Sequence, residues 1–290
     1  DRDRHLTRRR HMPQTRHPIE VVDTQYETVQ LVQLTDTHLC HLRGGTLLGM
    51  DTDHSLQAVI DLVKKERPGM DLLLGTGDLA DGGSGPAYQR LQAYFDQLTH
   101  VNYWLPGNHD DRAVMEAVAA TPARLCREIK LSCWQILLLD SQIAGQVGGA
   151  LGEAELMLLE QSLSAAQEER RHTLVCLHHQ PVAIGCDWLD QQMVADADAF
   201  FNVLDRYPGI KAVLWGHVHQ EIDRMRKGVR LLASPSTCVQ FAPGSKHFKA
   251  DDQPPGYRWL ELHSDGRIET GVSRVSEIEF TVDLDSGGYL

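Results

Sequence analysis

Residues 29–38 read Val-Gln-Leu-Val-Gln-Leu-Thr-Asp-Thr-His, and the reading of this stretch decides the fold. Val29 to Leu34 has the character of a buried strand, and it runs out at Thr35-Asp36. Leu56, Val59, Ile60 and Val63 then recur at helical spacing, after a cap at Thr52 or Asp53 and before a stop at Pro68-Gly69. Asp71 to Leu74 is a second strand, running into Gly75-Thr76-Gly77-Asp78. Tyr88, Leu91, Tyr94, Phe95 and Leu98 mark another amphipathic helix, with side chains expected in the core, and Val101 to Leu105 a third strand ending at Pro106-Gly107-Asn108-His109. Strands alternating with helices predict an α/β layered protein.

The alternation continues downstream. Ile136 to Leu139, Thr173 to Cys176 and Ala212 to Leu214 read as strands, with helices near 153–167 and 195–204. Val229 to Ala233, Tyr257 to Leu262 and Arg267 to Val272 are later strands, the last two split by Ser264-Asp265-Gly266 into a β-hairpin that extends the sheet. Polar or ionisable residues collect just past the strand ends near 36, 78, 108, 178 and 217. In open α/β sheets ligands bind along that edge.

The chain has 290 residues, 42% apolar and 23% charged, a composition that builds one large core. No low-complexity linker divides it, so residues 12–250 are expected to form one domain and 251–290 a β extension of that domain. Residues 1–11 carry five Arg against two Asp, show no apolar period and run into a His-Met pair. They are expected to be an expression leader, with Met12 the native start. Without them 23 basic side chains face 38 acidic ones, a net charge of −15, which argues against binding nucleic acid or an anionic membrane. Cys40, Cys126, Cys133, Cys176, Cys186 and Cys238 form no CxxC pair and no apolar leader follows Met12, so a cytoplasmic protein with reduced thiols is expected. The longest apolar runs, such as Ile136 to Leu139, fall far short of the ~18 residues that span a bilayer.

Taken singly, each strand-end block has a plain reading. Asp36-x-His38 could be an Asx turn, Gly77-Asp78 and Gly107-Asn108 could be turns, and His178-His179 or His217-x-His219 could be solvated pairs. Together, five blocks directly behind apolar strands supply Asp, His, Asp, Asn, His, His and His. Hydrolysis assisted by two metal ions requires this inventory: a carboxylate that bridges two cations, with imidazoles and an amide oxygen completing coordination and leaving room for water and phosphate.

The order DTH (36–38), GDLAD (77–81), GNHD (107–110), HHQP (178–181) and GHVH (216–219) resembles the calcineurin-like metallophosphoesterase superfamily over about residues 29–240. The resemblance implies a four-layer αββα sandwich of two mixed sheets flanked by helices, with 12–250 as the catalytic domain. It implies one metal held by Asp36, His38, Asp78 and His219, a second held by Asp78, Asn108, His178 and His217, and a hydroxide between them as the nucleophile. In HHQP a His-x-Pro reading favours His179, whereas the family form of two histidines before a proline favours His178. His109 resembles the family histidine that contacts phosphate and protonates the leaving oxygen, and Asp81 the acid that positions it. Asn108, His109 and His219 would contact the substrate. Iron and manganese are the metals implied, and zinc or cobalt also suits such a donor set.

Protein phosphatases of the superfamily place arginines after the GD and GN motifs. Here Gly82-Gly83 follow Asp81 and Leu105-Pro106 precede Gly107, which suits a singly charged phosphodiester. Arg112 is the nearby exception, either reaching phosphate or starting a helix. The wording LTDTHL, GDLAD, LPGNHD, CLHHQP, GCDWLD (185–190), GHVH and ASPST is similar to the class III cyclic-nucleotide phosphodiesterases of Gram-negative bacteria. That likeness implies hydrolysis of 3′,5′-cyclic AMP to 5′-AMP, lowering a second messenger. A broader phosphodiesterase acting on 2′,3′-cyclic nucleotides or glycerophosphodiesters is the alternative, and a non-catalytic scaffold a further one. Ser234, Ser236, Thr237 and Gln240 are candidates for the base pocket, with a polar turn as their plain reading. Trp188 either covers the site or anchors a loop.

Overall fold

The structure is a computed structural model that describes residues 19–24 and 27–289. The expected leader, residues 1–11, lies outside the described residues.

Two sheets stack face to face. Five strands form one, in the spatial order Ile268–Arg274, Gly256–Leu262, Val29–Leu34, Leu72–Gly75 and Asn102–Trp104. The last three are mutually parallel and the first two pair antiparallel. Seven strands form the other: Ile19–Val21, Glu128–Leu131, Trp134–Leu138, His172–Leu177, Ile210–Trp215, Val229–Ala233 and Ile222–Arg226.

The two-residue period of each strand sorts its side chains between layers. Val29, Leu31, Leu72, Leu74 and Tyr103 from the smaller sheet meet Ile136, Leu138, Leu174, Cys176 and Leu214 from the larger one in a core between the sheets. On the outer face of the smaller sheet, Val32, Leu34, Leu73 and Trp104 pack with Leu56, Val59, Ile60 and Val63 of the helix Thr52–Glu66 and with Leu91 and Phe95 of Gly85–Asp96. On the outer face of the larger one, Leu137, Val175, Leu177 and Trp215 pack with Leu159 and Leu163 of Gly152–Glu168 and Phe200 of Ala197–Leu204. Each such side chain, taken fully out of water, contributes roughly 1.5–3 kcal/mol. Three cores separating four layers make the αββα sandwich that the resemblance implies.

The hairpin Gly256–Leu262 with Ile268–Arg274 forms as expected. Its first strand pairs with Val29–Leu34, which puts Leu260 and Leu262 in the core between the sheets. Arg258, 1% exposed, ties the sheets together by donating to the carbonyls of Ala233 and Ile222 and to Thr270 Oγ1. Burial pushes its pKa down to about 10, so it stays charged at neutral pH.

Some local expectations move. The first helix is capped by Asp51, whose carboxylate accepts from His54 N; Thr52 is its first residue, and Asp53 is drawn away to Arg90 and the Tyr94 hydroxyl. The strands Ile19–Val21 and Ile222–Arg226 escape a hydrophobic reading because they are short edges with little burial. Among the described residues no helix is long and apolar enough to cross a membrane.

Candidate metal centre

The loops leaving five strand ends converge. Asp36 and His38 follow Val29–Leu34, Asp78 follows Leu72–Gly75, Asn108 and His109 follow Asn102–Trp104, His178 follows His172–Leu177, and His217 and His219 follow Ile210–Trp215. Backbone bonds stitch the loops together: Asp36 N donates to Gly77 O, His38 N to Asp78 O, and Gly216 N to His178 O. To make these turns, Asp36, His38, Asp78, His217 and His219 take φ of 54°, 44°, 48°, 68° and 48°. Asp and His enter this left-handed region more readily than most residues, at a cost of roughly 1–3 kcal/mol each. The motif glycines permit the approach: a Cβ on Gly107 would lie 2.3 Å from Asp78 Oδ1, and one on Gly216 2.3 Å from Thr35 Oγ1.

Each imidazole is held by one ring nitrogen. Backbone carbonyls accept from His178 Nδ1 (Thr76 O, 2.8 Å) and His219 Nδ1 (Val239 O, 2.8 Å), and the Asp81 carboxylate accepts from His38 Nδ1 at 3.0 Å. In its neutral form each of these rings therefore keeps the lone pair on Nε2. His217 is turned the other way, with Nε2 2.9 Å from Gln192 Oε1 and Nδ1 3.1 Å from Asn108 Oδ1. An acceptor on the far nitrogen is how proteins fix the tautomer and orientation of metal-binding histidines.

The free lone pairs face carboxylate oxygens. His219 Nε2 lies 3.1 Å from Asp36 Oδ1, His178 Nε2 3.2 Å from Asp78 Oδ2, and His38 Nε2 3.9 and 3.8 Å from the same two oxygens. Asp36 Oδ2 accepts from Thr35 Oγ1 and His217 N, and Asp78 Oδ1 from His109 N. Asp36 Oδ1 and Asp78 Oδ2 are buried and have no hydrogen-bond partner. Buried bare oxygens set against imidazole lone pairs fit cations between them, because acceptors alone would repel. Among the described residues two wholly buried groups satisfy this geometry, Asp36 with His38 and His219, and Asp78 with His178 and His217, with Asn108 Oδ1 also 3.2 Å from His178 Nε2.

The electrostatics agree. Burial pushes the Asp78 carboxyl up, yet His178, His109 and His38 bring it well below the usual carboxylate range. Burial pushes His178 down, but Asp78 and Asp36 outweigh it and raise it to about 10: beside unneutralised carboxylates its Nε2 carries a proton, and a cation bound there would replace that proton and free the lone pair. His217 is held well below its ordinary value by burial and then by His179 and His178, which keeps it a neutral imidazole.

All seven expected ligand residues therefore meet, and His178 is the member of its pair that does. His179 has both ring nitrogens engaged, Nδ1 by Ser141 Oγ at 2.7 Å and Nε2 by Val147 O at 2.8 Å. His109 adjoins the cluster, its ring 4.9 Å from that of His38. Its Nδ1 is bound by the backbone carbonyl of Asp81 at 3.0 Å, while the Asp81 carboxylate is closer to His38 (3.0 Å) than to His109 (3.7 Å). Arg112 starts the helix Arg112–Val118 and is paired with Asp140 and Glu116. Ser234, Ser236, Thr237 and Gln240 are fully buried, and Ser236 Oγ donates to Asp36 O while Gln240 Nε2 donates to Ser236 O. They brace the loops, as the turn reading holds. Gln192 and Asp110 were not singled out: the first orients His217, and the second binds Leu79 N, Ala80 N, Gly107 N and the Tyr88 hydroxyl.

Known proteins resemble the chain to different depths. The family model of the calcineurin-like phosphoesterases matches residues 29–221. The chain is 47% identical over 262 residues, 90% of its own length and 96% of the relative's, to the 3′,5′-cyclic adenosine monophosphate phosphodiesterase CpdA of Pseudomonas aeruginosa. It is 43% identical over 265 residues, 90% and 95% of the two lengths, to the protein of that name from Escherichia coli strain K12. A solved dimetal phosphatase from Danio rerio superposes with a TM-score of 0.61 over 86% of this chain and 99% of that one, at 14% identity, which shows a common fold.

Proposed function

The chain belongs to the calcineurin-like phosphoesterase family, and from that membership we propose that it hydrolyses 3′,5′-cyclic AMP to 5′-AMP at a centre of two metal ions. Asp36, His38, Asp78 and His219 would hold one ion and Asp78, Asn108, His178 and His217 the other, with iron or manganese as residents and zinc or cobalt as substitutes. The observation that carries the reading is the pair of bare buried oxygens, Asp36 Oδ1 and Asp78 Oδ2, set among oriented imidazoles. When bound, two cations supply positive charge for the phosphoryl oxygens and acidify a water.

The side chains do the remaining work. Asn108, His109 and His219 border the space for phosphate. Because the Asp81 carbonyl occupies His109 Nδ1, a proton for the leaving 3′ oxygen comes from Nε2. Water adds across the P–O3′ bond: its oxygen becomes part of the 5′-monoester, and the 3′ oxygen leaves as a hydroxyl. The commitment of Arg112 to Asp140 and Glu116 supports a singly charged diester, which needs fewer cationic partners than a monoester.

The test is turnover of cyclic AMP, 2′,3′-cyclic AMP and glycerophosphodiesters by metal-reconstituted protein beside Asp78→Ala. Release of 5′-AMP is expected, with kcat/KM lower by more than about 100-fold in the variant. Preference for another diester would replace the substrate, and undiminished turnover by the variant would remove the centre. The reading places the protein in the cytoplasm, where subcellular fractionation should find it.

A further inference from the structure

A cleft of about 340 Å³ opens beside the metal centre, its inner end made by Asn108 and His109 and its walls by Trp188, Gln192, Phe248 and Tyr289. A phosphate ester held at Asn108 and His109 therefore has this cleft as the space for its organic part. No Asp, Glu, Lys or Arg is among the described residues that line it, so it suits a neutral group. The walls are flat. Trp188 lies edge to face with Phe248 at 5.1 Å and with Phe241 at 5.0 Å. Tyr289 packs 5.7 Å from Phe248 and lies nearly parallel to His109, 5.5 Å away at 12°.

Trp188 Nε1 is enclosed beneath the wall, out of reach of the open space, so this residue offers the cleft its ring carbon. Polar groups are present as well: Gln146 and Gln192 add amides. Gln146 sits on a loop held by His179, whose Nε2 donates to Val147 O and whose Nδ1 accepts from Ser141 Oγ. Tyr289 is brought in by the stretch 276–289, which has neither helix nor strand and is fastened by Asp283 N to Leu48 O and by Phe280 against His54.

We propose that this cleft is the base subsite, taking a purine against the aromatic wall of Trp188 and Phe248, closed by Tyr289 and read along its edge by the Gln146 and Gln192 amides. The proposal deepens the cyclic-nucleotide reading and rests on it. Stacking on aromatic rings suits any flat base, and the two amides present donors to ring nitrogens.

The test compares 5′-AMP with ribose 5-phosphate as competitive inhibitors of bis(p-nitrophenyl) phosphate turnover by the metal-loaded protein. The two inhibitors differ in the base. The unsubstituted protein is expected to favour 5′-AMP by about tenfold or more, and Trp188→Ala and Tyr289→Ala to lose most of that preference. Trp188→Phe keeps a flat wall and is expected to retain much of it, which separates lost stacking from misfolding. Equal inhibition by the two compounds on the unsubstituted protein, or an undiminished preference in both alanine variants, would overturn the subsite. Tighter 5′-AMP inhibition in Tyr289→Ala would overturn the part given to Tyr289 and make that ring an obstruction. The underlying reading fails separately: cyclic AMP would yield no 5′-AMP while the Trp188-dependent preference stands.

Discussion

Asp81 is named by its motif but placed by its neighbours. The family resemblance of GDLAD implies that it is the acid behind His109, yet the carboxylate lies closer to His38 and the carbonyl binds His109. Asp81→Ala is therefore expected to weaken metal binding by about 10–100-fold in a metal titration, because His38 loses the acceptor that sets its tautomer. Full metal affinity with a loss of rate alone would return the carboxylate to His109. His109→Ala is expected to keep its metals and to lose about 10²–10⁴ in kcat on cyclic AMP. Its loss should be smaller on a nitrophenyl diester, whose leaving oxygen needs no proton, and equal losses on both would take the proton-transfer role from His109. The residues of the candidate centre were legible because each follows on an apolar strand that announces where the loop begins. Gln192 was not, since nothing local distinguishes a glutamine that meets His217 only through folding. What separates His178 from His179 likewise lies far along the chain: Ser141 and Val147, which engage both ring nitrogens of His179, are 38 and 32 residues from it.

At the scale of elements, Asp110 knots two motif loops. Its carboxylate gathers Leu79 N and Ala80 N from one loop, Gly107 N from its own, and the hydroxyl of Tyr88 in the helix Gly85–Asp96. Asp110→Ala strands these buried donors and is expected to cost on the order of 3 kcal/mol, read by denaturant unfolding at constant m value. A change below about 1 kcal/mol would show that water or a shifted loop replaces the carboxylate. Tyr88 was expected in the core from its helical period, and it is there, but periodicity carries no word about its hydroxyl. The buried strands were legible from their unbroken apolar runs. Ile222–Arg226, sequence IDRMR, was not, because an edge strand with one buried residue is held by pairing to Val229–Ala233 rather than by its own composition.

For the whole molecule, the late hairpin belongs to the centre of the fold. Leu260 is 1% exposed in the core between the sheets, alongside Leu174 from the opposite sheet. Leu260→Ala and Leu174→Ala are each expected to cost about 2–5 kcal/mol by denaturant unfolding. A cost below about 1 kcal/mol for Leu260→Ala alone would mean that the hairpin is an appendage. The layer order was legible from alternating strands and helices together with the resemblance, whereas the position of the hairpin beside Val29–Leu34 depends on pairing across more than two hundred residues. The left-handed turns at Asp36, His38, Asp78, His217 and His219 have a consequence at this scale too. Each is a backbone cost that the packing around it must carry, so the aim of these five side chains is only as firm as the loops behind them. A substitution that loosens one loop, far from every donor atom, would scatter the cluster without altering one of its side chains.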